Sequence, residues 1–249
     1  MPASLLGMEG KAVMVIGGGQ GMGESTARFL ARAGADVAVV DVVAERAENV
    51  AKSVQHLGRR GIAITGDVLD DSQVDRIVAE AEEKLGGLDG AVFIVGGAFF
   101  ESIFEMKPET WDLEFARNLR YVFMTGRAVA ESMVRRGVPG AMVAIASVDG
   151  MQGSWMHAAY GAAKAGLINL VQSMAAEWAE HAIRVNAIAP GHIVTPRLYD
   201  TPARVDWYKQ SLIPAKQRGT TDDIGKAALF LLSDLASYVT GVTLPVDGG

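Results

Sequence analysis

Short runs of β-branched and small apolar residues alternate with longer stretches of helical period along almost the whole chain, a pattern that few folds accept. The expected strands are residues 12–16, 36–40, 62–65, 90–95, 141–146, 184–189 and 242–246. Most are nearly continuous apolar runs, as strands covered on both faces are, whereas a half-exposed antiparallel strand alternates. Between them, residues 23–33, 43–57, 71–85, 108–136, 155–180 and 221–235 carry apolar side chains three and four apart, the spacing of a helix packed along one stripe. The reading is α/β: a doubly wound parallel sheet of seven strands with helices on both faces. No repeat, low-complexity tract or Pro/Gly/Ser linker divides the 249 residues, so a single domain over 1–249 is expected. One long segment, 191–219, lacks clear periodicity and reads as a substrate loop or lid.

Composition removes several classes of function. Hydrophobic residues at 49% fill a sizeable core, and a formal charge of -6 is the wrong sign for gathering phosphate backbones, so nucleic acid is not an expected partner. With no cysteine, disulfides, thiolate metal sites and cysteine nucleophiles are excluded. Residues 1–10 lack the basic start and apolar stretch of a secretory signal, and no apolar run approaches the ~20 residues of a spanning helix. No membrane partner and a cytoplasmic location are the expectations. The four histidines, His56, His157, His181 and His192, have no metal-ligand spacing, so no metal is expected.

Gly17-Gly18-Gly19-Gln20-Gly21-Met22-Gly23 joins the first strand to the first helix, the context that a Rossmann-type dinucleotide cradle requires. Glycine there permits positive φ and lets a pyrophosphate reach backbone N–H groups at a positively polarised helix end. The common G-x-G-x-x-G spacing is absent, but Gly17-x-x-x-Gly21-x-Gly23 fits a wider variant. Asp41 ends the second strand close to the ~20 residues downstream expected of the acid that holds adenosine ribose hydroxyls. Its carboxylate repels a 2'-phosphate, and no arginine stands beside it, since Val42 and Val43 follow and Gln20 in the loop is neutral; NAD(H) is favoured over NADP(H). Asp41 is also a candidate helix N-cap. Asp67, after the third strand, either receives the adenine amino group or caps a turn.

Tyr160 and Lys164 are four apart in a helical stretch, which puts phenol and ammonium on one face. A tyrosine titrates near 10, and an adjacent positive charge lowers that value. Ser147 follows the fifth strand, at the end of a parallel sheet where ligands bind. Asn118 lies inside the preceding long helix, where a buried amide needs partners. Pro190-Gly191 follows the sixth strand, with Thr195 four residues on. Together with the glycine loop, these residues resemble the classical short-chain dehydrogenase/reductase family over essentially the whole chain.

The resemblance implies roles. Tyr160 would act as general base towards an alcohol or general acid towards a carbonyl, and Ser147 would hydrogen-bond the reacting oxygen. Lys164 would lower the phenol pKa and bind the nicotinamide ribose, and Asn118 would hold a relay water behind it. Gly17, Gly21 and Gly23 match the cofactor fingerprint, Thr195 the residue that fixes the carboxamide. Gln20, Met22, Val68, Gly96, Pro190, Gly191 and Ile193 complete the expected cofactor contacts. Val246-Asp247-Gly248-Gly249 resembles the tetramer-forming tail, so a homotetramer is expected. Two positions depart from the family: Ile16 replaces a threonine and Phe93-Ile94-Val95-Gly96 an Asn-Asn-Ala-Gly segment. Both partners of a polar contact have become apolar, which can be nearly neutral where the loss of one alone is not.

The expected function is that of an NAD(H)-dependent oxidoreductase that interconverts a secondary alcohol, cyclic or bulky and apolar, with its ketone, a small-molecule substrate. The alternatives are a 3-oxoacyl-thioester reductase and a catalytically idle NAD-binding oligomeric module. Asp149, His157, His192, Leu198 and Trp207 are the candidate substrate-pocket residues, with exposed loop or solvent-facing positions as the other reading. Phe99, Phe100 and Trp155, with the loop aromatics, either line that pocket or pack in an interface or core.

Overall fold

A computed structural model describes residues 5–196 and 213–249. Strands β1 (Ala12–Ile16), β2 (Asp36–Asp41), β3 (Gly61–Thr65), β4 (Gly90–Phe93), β5 (Gly140–Ile145) and β6 (Ile183–Pro190) alternate with helices α1 (Gly21–Arg32), α2 (Ala44–His56), α3 (Asp71–Leu85), α4 (Pro108–Phe115), α5 (Tyr121–Arg136) and α6 (Ala158–Trp178). Two short strands, β7 (Ile193–Val194) and β8 (Gly219–Thr220), precede α7 (Thr221–Leu232) and the last strand, β9 (Thr243–Val246). The seven-stranded sheet has the order β3-β2-β1-β4-β5-β6-β9, parallel throughout. This is a single Rossmann-like α/β domain. The strand order reverses beside β1, and there the carboxyl ends of β1 and β4 diverge to leave a crevice.

The apolar strands serve two cores at once, because successive side chains point to opposite faces. Met14 and Ile16 enter the layer under α3, α5 and α6, where Ile77, Tyr121, Leu167 and Val171 pack. Val13 and Val15 enter the layer under α1, α2 and α7, with Leu30, Val50, Ile224 and Leu231. Among the described residues, no helix is long and apolar enough to cross a membrane.

Two local readings need correction. The stretch 108–136 is not a uniform α-helix: Ala116–Arg120 winds as a π turn between α4 and α5. The Asn118 carboxamide donates to the Glu114 carbonyl at 3.0 Å, taking the acceptor that regular winding assigns to the Asn118 N–H. Segment 191–219 is not irregular throughout, since β7 pairs with β8 in parallel, Ile193 beside Gly219 and Val194 beside Thr220. Its two ends are thereby pinned together. Residues 197–212 between them lie outside the described residues.

The family departure at Ile16 and Phe93 resolves into one contact. The two are direct cross-strand partners in the β1–β4 register, both buried in the same core. Phe93→Asn should therefore cost about 3–5 kcal/mol, the range of large-to-small core changes, with an unsatisfied amide added. Adding Ile16→Thr should recover part of that loss, because the two polar groups then meet. Urea unfolding of the two single variants and the double variant measures both effects.

Candidate active site

The crevice at the carboxyl ends of β1, β2 and β4 is a cleft of about 370 Å³ bordered by Gly17, Gln20, Gly21, Met22, Asp41, Asp67, Val68, Gly96 and Thr195. Gly17 and Gly21 hold φ of 79° and 59°, the left-handed region that favours glycine. A Cβ on Gly23 would lie 2.1 Å from the Gly17 carbonyl oxygen, so this close turn of the loop over α1 admits no side chain. The loop is anchored to β2: Gly17 and Gly18 donate to the Val40 carbonyl, and Gly19 donates to Asp41 Oδ2 at 3.1 Å. Asp41 Oδ1 accepts from the Val43 N–H at 3.0 Å. Asp41 is thus not the N-cap of α2, which is Val43; its carboxylate ties the glycine loop to the start of that helix. Asp67 Oδ1 accepts from Leu69 N–H at 2.9 Å, a turn contact made at the wall of the cleft.

Arg46 also borders the cleft, packed so closely on Gly19 that a Cβ there would meet Arg46 Cβ at 2.7 Å. The expectation that no arginine stands by Asp41 is corrected. Val42 and Val43 follow Asp41 directly, but the first turn of α2 brings Arg46 round to the carboxylate's side.

On the far wall, β6 ends at Pro190, and Gly191 donates to the Val246 carbonyl at 3.1 Å. A Cβ on Gly191 would lie 2.7 Å from Asp247 Cβ, so the C-terminal segment buttresses the turn that leads to buried Ile193 and to Thr195.

Ser147, Tyr160 and Lys164 converge at the end of β5. Ser147 is extended and buried, and caps the short turn Val148–Gly150 by accepting from Asp149 N–H at 3.1 Å. That turn lies against α6: a Cβ on Gly150 would lie 2.7 Å from the Lys164 carbonyl carbon, and one on Gly161 2.9 Å from the Asp149 oxygen. Lys164 is buried, donates from Nζ to the Ile145 carbonyl at 2.6 Å and stands 5.7 Å from the centre of the Tyr160 ring. Gly96 closes the group, since a Cβ there would approach Asn118 Oδ1 to 2.8 Å and Lys164 Nζ to 3.5 Å.

The electrostatics differ from the sequence expectation. Burial pushes Tyr160 up to about 12, with Asp149 and Glu114 adding to the rise; a hydrogen bond with Ser147 and the charge of Arg117 oppose it. Burial brings Lys164 down to about 7, opposed by Glu114 and assisted by Arg117. In the protein alone, desolvation outweighs any help from the ammonium.

Asn118 is fully buried, and its amide is saturated. Nδ2 donates to Gly97 O at 2.9 Å, Glu114 O at 3.0 Å and Glu114 Oε2 at 2.6 Å, while Oδ1 accepts from Gly97 N–H at 3.3 Å. Glu114, only 1% exposed, was not singled out from the sequence. It binds Arg117 through both carboxylate oxygens, at 2.7 and 3.1 Å, and accepts from Phe99 N–H at 2.5 Å. Arg117 lies 4.3 Å from the centre of the Phe99 ring. The available signal was the spacing of Glu114, Arg117 and Asn118, which shares one helix face.

Of the candidate pocket residues, Asp149 and His157 form a pair, Oδ2 to Nδ1 at 2.8 Å. The His157 ring lies edge-on to Phe100 at 5.3 Å and to Tyr160 at 5.7 Å, and Phe100 in turn to Trp155 at 5.3 Å. Trp155 and Phe100 are largely exposed, so these aromatics form a rim and not a core. His192 is exposed; desolvation of its ring and the charge of Arg218 lower its pKa, while Asp149 opposes them. Leu198 and Trp207 lie outside the described residues. No group of three or more His, Asp or Glu able to hold a metal occurs among the described residues.

Residues 17–249 match the family model described as enoyl-(acyl carrier protein) reductase. The chain is 35% identical to an L-rhamnose 1-dehydrogenase (NAD(P)(+)) of a Sphingomonas species, over 97% of this chain and 96% of that one. It is 35% identical to a cis-4-hydroxycyclohexanecarboxylate dehydrogenase of Sinomonas cyclohexanicum, over 96% of each. Among solved structures, 7α-hydroxysteroid dehydrogenase complexed with NADH and 7-oxo glycochenodeoxycholic acid superposes with a TM-score of 0.93 at 33% identity, covering 100% of this chain and 97% of that one.

Removing the Glu114 carboxylate leaves the Arg117 guanidinium and the Phe99 N–H without the acceptor that both share. Glu114→Ala should lower stability by about 3 kcal/mol, as breaking a buried ion pair does, and Glu114→Gln by less. Urea unfolding gives the order of the two losses.

Proposed function

The chain belongs to the short-chain dehydrogenase/reductase family, and on that premise we propose that it is an NAD(H)-dependent oxidoreductase interconverting a secondary alcohol and its ketone. The substrate in this reading is cyclic or bulky and apolar. The observation that carries it is the meeting of Ser147, Tyr160 and Lys164 at the end of β5, beside the glycine cleft. The names of relatives that act on a hydroxycyclohexanecarboxylate and a hydroxysteroid support the substrate class.

A bound nicotinamide dinucleotide supplies the two-electron redox chemistry. The cleft fits such a group, because Gly17 and Gly21, both at positive φ, line it with backbone free of side chains, and Gly96 after β4 admits no side chain where a nicotinamide ribose would need room. Gly17, Gln20, Gly21, Met22 and Gly23 would hold the pyrophosphate, Asp41 the adenosine ribose, and Asp67 with Val68 the adenine. Gly96, Pro190, Gly191, Ile193 and Thr195 would border the nicotinamide half.

Ser147 donates a hydrogen bond to the reacting oxygen and holds charge as it develops there. Tyr160 takes the proton from that oxygen in oxidation and returns it in reduction. Lys164, fixed by the Ile145 carbonyl, presents its ammonium to the phenol and to the nicotinamide ribose. Asn118, whose amide is already saturated, would meet the relay water behind Lys164 through its main chain. Asp149, His157 and His192 line the substrate side. The homotetramer and a cytoplasmic location belong to the same proposal.

One observation favours a second reading. Arg46 at the ribose end of the cleft offers a cation to a 2'-phosphate, as a 3-oxoacyl-thioester reductase using NADPH would require. Steady-state rates with NAD(H) and NADP(H) over a panel of alcohols, ketones and oxoacyl thioesters separate the two: a clear NADPH preference on thioesters overturns the first.

Tyr160→Phe should retain NADH binding, read by quenching of protein fluorescence, and lose about 10²–10⁴-fold in turnover. Because burial raises the phenol, wild-type alcohol oxidation should climb as pH rises above neutrality while ketone reduction falls. Oxidation that is flat from neutral to alkaline pH contradicts the role of the tyrosine.

A further inference from the structure

We infer that the Asp149–His157 pair recognises a second hydroxyl on the carbon next to the reacting one, so that the enzyme prefers cyclic vicinal diols over simple cyclic alcohols. The inference rests on the proposed alcohol oxidation at Tyr160. The pair is built, not incidental. Ser154 Oγ donates to Asp149 Oδ1 at 2.5 Å, and Asp149 Oδ2 binds His157 Nδ1 at 2.8 Å. His157 follows Met156, whose φ of 63° is a left-handed conformation that a methionine seldom adopts. A backbone bridge to the loop before α4 holds that conformation, with Glu101 N–H donating to the Met156 carbonyl at 2.9 Å. The imidazole is thus aimed by the backbone, pinned by a carboxylate and flanked by the Phe100 and Tyr160 rings.

The chemistry follows from the pinning. The Asp149 contact engages Nδ1, and in the tautomer that donates Nδ1–H to the carboxylate, Nε2 is an acceptor. Among the described residues, Nε2 has no hydrogen bond, and the side chain is 28% exposed. The imidazole stands edge-on to the Tyr160 ring, 5.7 Å between centres, so a substrate whose reacting oxygen meets the phenol has the oxygen of its adjacent carbon within reach of that neighbouring ring. A hydroxyl there donates to Nε2. A carboxylate does not suit the position, because the Asp149 charge lies directly behind the imidazole. The exposed faces of Phe100 and Trp155 beside the pair suit the apolar edge of a ring.

The test compares kcat/KM for cyclohexane-1,2-diol, 2-hydroxycyclohexanecarboxylate and cyclohexanol, by absorbance of NADH formed. Wild type should favour the diol over cyclohexanol by roughly tenfold or more, as a site holding a hydrogen-bond acceptor discriminates against an analogue lacking the hydroxyl. His157→Phe should bring that ratio to about one, and His157→Gln, which keeps an acceptor, should restore part of it. The ratio does not depend on how much of a variant is folded. Nitrogen NMR of the imidazoles should show the His157 Nε2 resonance shifted by the diol and not by cyclohexanol. A diol preference that survives His157→Phe, a hydroxy acid preferred to the diol, or no diol preference in the wild type overturns the inference alone. Failure of all three substrates, together with the rest of the alcohol panel, to form NADH overturns the alcohol-oxidation reading with it.

Discussion

The approach of α6 to the end of β5 is the constraint on which the site depends. Two backbones meet there because neither Gly150 nor Gly161 carries a side chain; a Cβ on either would press into the opposite main chain. The approach puts Lys164 Nζ on the Ile145 carbonyl and the Tyr160 phenol beside Ser147, though these residues come from separate elements. The parallel sheet supplies the rest. All of its strands end on one edge, so the glycine loop after β1, Asp41 at the end of β2 and Gly96 after β4 border a single crevice, and Ser147 after β5 stands at the same edge.

Behind that crevice the protein maintains a buried polar network that a hydrophobic core would not tolerate half-made. Glu114 joins Asn118, Arg117 and Phe99 N–H, and its charge opposes the desolvation that would strip Lys164 of its proton. The π turn at Asn118 belongs to the same arrangement, because the widened backbone accommodates a side chain bonding back to its own helix. The network links the lysine side of the site to the Phe99 backbone, and through it to the aromatic rim. Fully satisfied groups of this kind hold a geometry more tightly than contacts between apolar side chains.

The fold was legible because its signal is periodic. Each expected strand overlaps an observed one with ends within two residues, since burial on both faces forces continuous apolar runs. The short β7–β8 pairing was not legible: two residues on each side carry no period. Single-residue motifs at strand ends were also readable, because Ser147, Asp41 and the glycines stand where the strand pattern stops. The pairings between elements were not. Arg46 reaches the cleft only through the rotation of α2, and Glu114 looks in sequence like any helix carboxylate until the packing of α4 removes it from water. The phenol's raised pKa has the same origin, since desolvation is a property of the assembled neighbours and not of a spacing.

These considerations converge on one claim, that the phenol of Tyr160 and the crevice at the sheet edge are halves of a single site. A crystal structure of the protein with NADH tests it most directly. The account predicts the dinucleotide along the crevice, its pyrophosphate over Gly17–Gly23 and its nicotinamide between Thr195 and Lys164, with the Tyr160 hydroxyl facing the ring. A dinucleotide bound elsewhere, or a nicotinamide separated from that hydroxyl by another side chain, would contradict it.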